Sequence, residues 1–157
     1  MRLIDGCDKP TWDAAFGPNL CQKDAGSVTP EEWSSKMNPK DFGHGKWWIN
    51  ASGGRVGTTE IELGDWLRVT NEGGENHTFT QIEKYSAVRS FTGGCIAPLS
   101  APLGLTTPFP GDCGKAIAET NVAPGKTVDF KGLTVGTYHY ECLFHPWMRQ
   151  TVKVERD

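Results

Sequence analysis

Glycine and proline divide this chain into segments that are too short for long helices. The 157 residues include 19 glycines and 10 prolines, and no sustained helical periodicity runs between them. Short apolar runs separated by so many turn-forming residues favour a β-rich domain. Hydrophobic residues make up 37% of the chain, with six tryptophans and seven phenylalanines, which is enough for one core. We therefore expect an all-β fold.

Strand-like segments follow one another from residue 46 onward. The segment TTEIELGDWLRVTNEGG predicts two strands, one on each side of Gly64 and Asp65, and HTFTQI predicts another after the polar loop NEGGEN. Further strands are predicted in KWWIN, TVDF, GTYHYEC and QTVKVE, the last with Val152 and Val154 on one face. Seven or eight short strands at this spacing are typical of a β-sandwich.

The N-terminal part of the chain does not share this pattern. Residues 1–44 are rich in Gly, Pro, Asp and Lys, and they predict an irregular extension that contains one short helix. Thr29 can cap that helix, Pro30 suits its first position and Glu32 completes a capping box. The helix is expected to stop at Asn38-Pro39 after about two turns.

The remaining residues, 45–157, are expected to form the sandwich domain. Between the predicted strands HTFTQI and TVDF lies a long stretch that contains FTGGCIAPLSAPLGLTTPFPGDCG. So many glycines and prolines cannot form regular sheet throughout, and a loop of this length in a compact domain is usually functional. We interpret it as an insertion at about 83–121.

The five cysteines divide into two local pairs and an odd one, Cys142. No CxxC pair occurs, so a zinc knuckle or a thioredoxin-like site has little support. Locality favours the disulfides Cys7–Cys21 and Cys95–Cys113, although four cysteines allow three pairings and buried thiols are the alternative. Disulfides indicate an oxidising compartment, and we expect a periplasmic or secreted protein. The chain begins MRLIDGCDKP without a hydrophobic signal region, so a signal would have been removed.

Charge and hydropathy argue against a nucleic-acid partner and against a transmembrane helix. The net charge is -3 and the isoelectric point is about 5.8, so no basic stripe is available to neutralise the phosphates of a nucleic acid. No apolar run approaches the ~20 residues that a transmembrane helix needs. We expect a monomer that has no transmembrane segment.

The stretch YHYECLFHPWMRQ places three metal-ligand types at even three-residue steps, namely Cys142, His145 and Met148. Alternation along TYHYEC puts Tyr140 and Cys142 on one face of the predicted strand. Pro146 cannot continue a central strand, so the chain must turn after Cys142. A tight turn would bring His145 and Met148 back towards the thiol.

A thiolate, an imidazole and a thioether form a soft ligand set that suits copper, whereas zinc would take another Cys, His or carboxylate. Such a copper site needs a second imidazole. Alternation places His139 on the wrong face, and we favour His77, which begins the strand HTFTQI, over His44. The alternatives are that Cys142 is an inert buried thiol and that Met148 belongs to the core.

The segments ENHTFT, VAPGKTVDF and GTYHYECLFHPWM, followed by a last strand, resemble the cupredoxin family of type 1 (blue) copper proteins. Within this family the chain is plastocyanin-like or amicyanin-like, and its spacing C-x-x-H-P-x-M is similar to that of amicyanin-like members, which have a short ligand loop. The resemblance covers roughly residues 46–156. It implies a Greek-key β-sandwich that binds one copper ion per chain. The implied equatorial ligands are His77, Cys142 and His145, and the implied weak axial ligand is Met148.

The leading hypothesis is a small exported electron carrier and not an enzyme. A closed ligand set of this kind suits one-electron transfer between redox partner proteins, with His145 as the exit. The neighbouring residues Phe144, Pro146 and Trp147 are a candidate docking rim, or else they pack under the N-terminal extension. A copper storage, delivery or sensing module is the alternative. A copper enzyme with a further site at an oligomer interface is less favoured, because such a site needs several histidines and only two of the four would remain.

Overall fold

The structure is a computed structural model that describes residues 1–36, 57–83, 113–144 and 148–156. Within these ranges it contains three helices and nine strands. The helices are α1 (Lys9–Phe16), α2 (Pro30–Lys36) and α3 (Cys113–Thr120). The strands are β1 (Arg2–Leu3), β2 (Gly57–Glu62), β3 (Leu67–Asn71), β4 (His77–Thr78), β5 (Thr80–Ile82), β6 (Asn121–Val122), β7 (Thr127–Phe130), β8 (Gly136–Glu141) and β9 (Arg149–Glu155).

The described strands form two sheets and one two-stranded ribbon. The first sheet has the order β1-β3-β7, in which β1 runs parallel and β7 antiparallel to β3. The second has the order β2-β9-β8-β5, in which β2 runs parallel to β9 and the other pairs are antiparallel. The ribbon pairs β4 with β6, so that one continuous stretch of chain leaves the ribbon and joins the second sheet as β5.

Apolar side chains from both sheets meet in one core. Phe79, between β4 and β5, stacks on Tyr140 of β8 with ring centroids 4.1 Å apart, and Phe130 of β7 packs against both rings. The buried members of this core are Leu3, Leu67, Val69, Phe79, Val122, Tyr140, Val152 and Val154. Because the two sheets share this core, the fold is a β-sandwich, as the strand spacing predicted.

Most of the predicted strands are confirmed. The two strands around Gly64 and Asp65 are β2 and β3, HTFTQI forms β4 and β5, and TVDF, GTYHYEC and QTVKVE contain β7, β8 and β9. Val152 and Val154 are both buried in the core, which agrees with their predicted common face. The predicted strand KWWIN lies outside the described residues.

The N-terminal extension is more ordered than the sequence indicated. Its predicted short helix is confirmed as α2, and the N–H of Glu32 donates to Thr29 Oγ1 at 3.1 Å, as a capping residue requires. The extension also contains α1 and β1, which were not predicted. The expected helix stop at Asn38-Pro39 and the boundary between 1–44 and 45–157 lie outside the described residues, so both stay predictions.

Helix α3 was also missed, because it lies in the segment interpreted as an irregular insertion at about 83–121. Half of its sequence CGKAIAET consists of good helix formers, namely one Lys, two Ala and one Glu. Lys115 and Glu119 form an i,i+4 ion pair on its exposed side. The C-terminal part of the predicted insertion is therefore helical, from Cys113 to Thr120.

The disulfide Cys7–Cys21 is present, with Cα atoms 6.2 Å apart and both residues fully buried. It joins β1 and its following turn to the chain after α1. The predicted partner of Cys113, Cys95, lies outside the described residues, so that pairing stays a prediction. In the part of the chain that the structure describes, no helix is long and apolar enough to cross a membrane.

Candidate metal centre

The candidate centre lies where the ribbon strand β4 meets the end of β8. The pairing of β5 with β8 sets Thr80 opposite Glu141, which brings the preceding residues His77 and Thr78 next to Cys142. The distance between His77 Nδ1 and Cys142 Sγ is 3.9 Å, and both side chains are buried. The N–H of Thr78 donates to the same sulfur at 3.3 Å, an arrangement that suits a sulfur carrying negative charge.

The segment after Cys142 turns back on itself, as Pro146 predicted. The N–H of Cys142 donates to the carbonyl oxygen of Met148 at 2.9 Å, which closes the loop at its base. The N–H of Leu143 donates to Thr78 Oγ1 at 2.7 Å and fastens the start of the loop to β4. Met148 is buried, and with Thr78 and Cys142 it lines one narrow cavity that has no room for a water molecule.

Three of the four predicted ligands are thus brought together, namely His77, Cys142 and Met148. The fourth, His145, lies outside the described residues together with the less favoured candidate His44. The assignment of all four residues as ligands remains a prediction.

The described donor atoms fit a bound transition-metal ion. A metal about 2.3 Å from a thiolate sulfur and about 2.0 Å from an imidazole nitrogen can join atoms up to ~4.3 Å apart. The 3.9 Å between Cys142 Sγ and His77 Nδ1 falls within that limit. Among the described residues, no three His, Cys, Asp or Glu side chains form a group that could hold a metal. Of the predicted ligands, only His77 and Cys142 are described residues of these four types, because Met148 would bind through its thioether sulfur.

A second apolar cluster covers Cys142 and Met148 from the N-terminal side. Its buried members are Cys7, Trp12, Cys21, Val28, Trp33, Cys142 and Met148. The indole N–H of Trp12 donates to the carbonyl oxygen of Val28 at 2.7 Å, and the ring meets Trp33 edge-on. Residues of the extension therefore shield the sulfur atoms of the candidate centre from water.

Phe144 also packs against this N-terminal cluster and is half-buried. That cluster contains Cys142 and Met148 as well as residues of the extension, so the role of Phe144 in a docking rim stays a prediction. The other two rim candidates, Pro146 and Trp147, lie outside the described residues.

The extension also contributes a buried carboxylate that sequence reasoning missed. Asp5 Oδ2 lies 2.9 Å from His77 Nε2, on the side of the ring away from Cys142. Burial of Asp5 opposes its ionisation, but the hydrogen bond with His77 and the N–H groups of Glu75 and Gly74 outweigh it and lower the pKa of Asp5. The segment IDGCD carries no motif that could have revealed this contact 72 residues away in sequence.

Two glycines in the loop NEGGEN allow the extension to come this close. A Cβ on Gly73 would lie 2.0 Å from Asp5 Oδ2, and a Cβ on Gly74 would lie 2.0 Å from the carbonyl oxygen of Lys23 and 2.5 Å from Cys7 Sγ. Real Cβ atoms do not approach other atoms so closely, so only glycine fits at either position. The predicted polar loop is thus a contact surface for the extension.

No protein-family model matches this chain, and no curated protein sequence does. Solved structures do. A purple cupredoxin from Nitrosopumilus maritimus is 21% identical, and the match covers 62% of this chain and 77% of that one with a TM-score of 0.39. A reduced amicyanin variant is 17% identical, and the match covers 69% of this chain and 78% of that one with a TM-score of 0.39.

A copper-containing nitrite reductase from Thermus scotoductus is 15% identical with a TM-score of 0.39, and the match covers 66% of this chain but only 23% of that one. The chain thus spans less than a quarter of that reductase, whereas it spans 77% of the purple cupredoxin and 78% of the amicyanin.

Proposed function

We propose that this chain is a small type 1 copper protein that carries single electrons between redox partners. The observation that carries the proposal is the pair His77 Nδ1 and Cys142 Sγ, buried and 3.9 Å apart, with Met148 in the same cluster as the sulfur. Two imidazoles, a thiolate and a weak thioether are the ligand set of blue copper sites. His145 would supply the second imidazole.

Copper, when bound, would supply a one-electron redox couple. The protein residues would determine how far the ligands rearrange when the metal is reduced. The hydrogen bonds from Thr78 N–H to Cys142 Sγ and from Leu143 N–H to Thr78 Oγ1 hold the thiol in place. The hydrogen bond between Cys142 and Met148 fixes the base of the loop. Because these hydrogen bonds hold the thiol and the base of the loop, both oxidation states would meet a similar ligand arrangement.

The N-terminal cluster would keep water away from the sulfur ligands. Trp12, Val28 and Trp33 pack over Cys142 and Met148, so a substrate or solvent molecule has no path to the metal from that side. A metal that is covered on this side is less accessible to a substrate, which suits electron transfer better than turnover of a bound substrate. This supports a carrier over an enzyme.

Electrons would enter or leave through His145, with Phe144, Pro146 and Trp147 as the contact surface for partner proteins. The buried disulfide Cys7–Cys21 supports an oxidising compartment, periplasmic or extracellular, as the place where the protein works. We expect a monomer in solution.

The test is a redox titration of the copper-loaded full chain. A carrier takes up one electron per chain from a mild reductant, returns it to a mild oxidant, and repeats the cycle without loss of copper. A chain that holds only Cu(I), or that prefers zinc, contradicts the proposal and supports storage, delivery or sensing. Steady consumption of oxygen or nitrite supports an enzyme.

A further inference from the structure

The buried carboxylate of Asp5 is surrounded by hydrogen-bond donors. Oδ1 accepts from the N–H of Gly74 at 2.8 Å and from that of Cys7 at 3.3 Å. Oδ2 accepts from the N–H of Glu75 at 2.9 Å and lies 2.9 Å from His77 Nε2. Three of the four neighbours are backbone N–H groups, which can only donate, so both oxygens of this carboxylate act as acceptors.

This arrangement determines which nitrogen of His77 carries the hydrogen. An oxygen that accepts from Glu75 N–H and faces Nε2 is best satisfied when Nε2 donates as well. In a neutral ring the other nitrogen, Nδ1, then has a lone pair. Nδ1 is the atom that lies 3.9 Å from Cys142 Sγ.

Asp5 is held in place from three directions. The preceding strand β1 pairs with β3, with Leu3 opposite Asn71. Two residues after Asp5, Cys7 forms a buried disulfide with Cys21 and a β-bridge with Val28. The loop before His77 supplies the N–H groups that bind the carboxylate. The carboxylate therefore cannot turn away from His77 without breaking several contacts.

We propose that Asp5 is a positioning residue of the metal centre, which keeps the hydrogen of His77 on Nε2 and directs the Nδ1 lone pair towards the metal beside Cys142. This rests on the proposed copper site. It makes residues at the start of the chain a part of that site, since a carboxylate that accepts from a ligating imidazole fixes the ring and raises its basicity. The negative charge also favours the more positive oxidation state of the metal.

The first test compares copper-loaded Asp5→Asn with wild type, with Asp13→Asn as the matched control. Asp13 lies in the same extension, on α1, and pairs with Lys9 and not with the centre. We expect Asp5→Asn to lower Cu(II) affinity roughly 10–100-fold. Cu(I) affinity should fall less, so the reduction potential rises and the Cu(II) absorption spectrum shifts. Affinity, potential and spectrum equal to those of Asp13→Asn would overturn the proposal.

The second test needs no substitution and no metal. Long-range ¹H–¹⁵N correlation spectra of the metal-free full chain report which ring nitrogen of His77 is protonated. We expect the hydrogen on Nε2, with slow exchange against solvent because His77 and Asp5 are both buried. A hydrogen on Nδ1 alone would overturn the proposal even if Asp5→Asn fails to fold. A chain that takes up no copper but shows the Nε2 hydrogen would refute the proposed function and leave the role of Asp5 in fixing the ring supported.

Discussion

The hydroxyl oxygen of Thr78 accepts a hydrogen bond of 2.7 Å from the N–H of Leu143, which joins β4 to the loop after Cys142 beside the candidate centre. The N–H of the same threonine donates to Cys142 Sγ at 3.3 Å. One residue therefore fastens the residue after the thiol and also binds the thiol itself. Its contacts link the position of Cys142 to that of the neighbouring His77.

Thr78→Val tests this fastening. Valine has nearly the shape of threonine but no hydroxyl, so the buried N–H of Leu143 and the hydroxyl of Thr80 would both lose this acceptor. We expect the free energy of unfolding to fall by about 1–3 kcal/mol, measured by urea denaturation of the metal-free protein. Thr78→Ser keeps the hydroxyl and is the matched control. Equal losses in the two variants would show that the hydroxyl bond to Leu143 contributes nothing.

Gly74→Ala tests the fit between the extension and the loop before His77. A Cβ at this position would meet the Lys23 carbonyl oxygen and Cys7 Sγ, and neither is the end of a flexible side chain. We expect a loss of about 1–3 kcal/mol in the free energy of unfolding, as for overpacked sites. Backbone amide exchange at Gln22 and Lys23 should accelerate, because both N–H groups donate to the Gly74 carbonyl oxygen. Unchanged exchange at these two amides would contradict the described contact.

Reduction of the Cys7–Cys21 disulfide is expected to destabilise the metal-free protein. The bridge joins residues 14 apart in sequence. A loop of this size corresponds to about 3 kcal/mol in the chain-entropy description. Urea denaturation with and without a thiol reductant measures the difference.

The double variant Cys7→Ala, Cys21→Ala is the control for that measurement. If Cys7–Cys21 is the one disulfide of the chain, reductant has no effect on the stability of this double variant. A remaining effect of reductant in the double variant would be the signal expected from the predicted pair Cys95–Cys113. No effect of reductant on wild type would contradict the disulfide seen here.

Met148→Leu tests the predicted axial ligand. Leucine fills a similar volume, so the buried site should keep its fold and its copper. The reduction potential should rise, because the weak thioether donor to Cu(II) is lost. Voltammetry of the copper-loaded variant measures the shift. Loss of copper, or a potential equal to that of wild type, would mean that Met148 has another role.

Local patterns in the sequence were enough to predict much of the fold. Thr29 and Glu32 indicated α2 because capping depends on residues only three apart, and the cap is present. Alternation placed Val152 and Val154 on one buried face. Helix α1 was missed because its apolar pattern is weak, with Trp12 as its buried residue, although Pro10 near its start was an available signal. Strand β1 has two residues and pairs with β3, far along the chain, and no local pattern reveals such a pairing.

In the candidate site too, local motifs predicted some residues, whereas contacts between distant segments were missed. Cys142 and Met148 were predicted from a motif in one short segment, and His77 from its position at the start of a strand. The structure brings these three residues together. The role of the extension was not predictable, since the contact of Asp5 with His77 depends on β1 pairing and on two glycines that look like ordinary turn residues. Contacts between segments that carry no motif appear only when the fold is known.

The visible absorption and EPR spectra of the copper-loaded full chain test the central claim most directly. The account predicts an intense blue Cu(II) species, because a thiolate and two imidazoles bind one copper ion. It also predicts that Cys142→Ser removes this colour, whereas Cys7→Ala with Cys21→Ala retains it. A colourless Cu(II) protein, or a blue species that survives in Cys142→Ser, would contradict it.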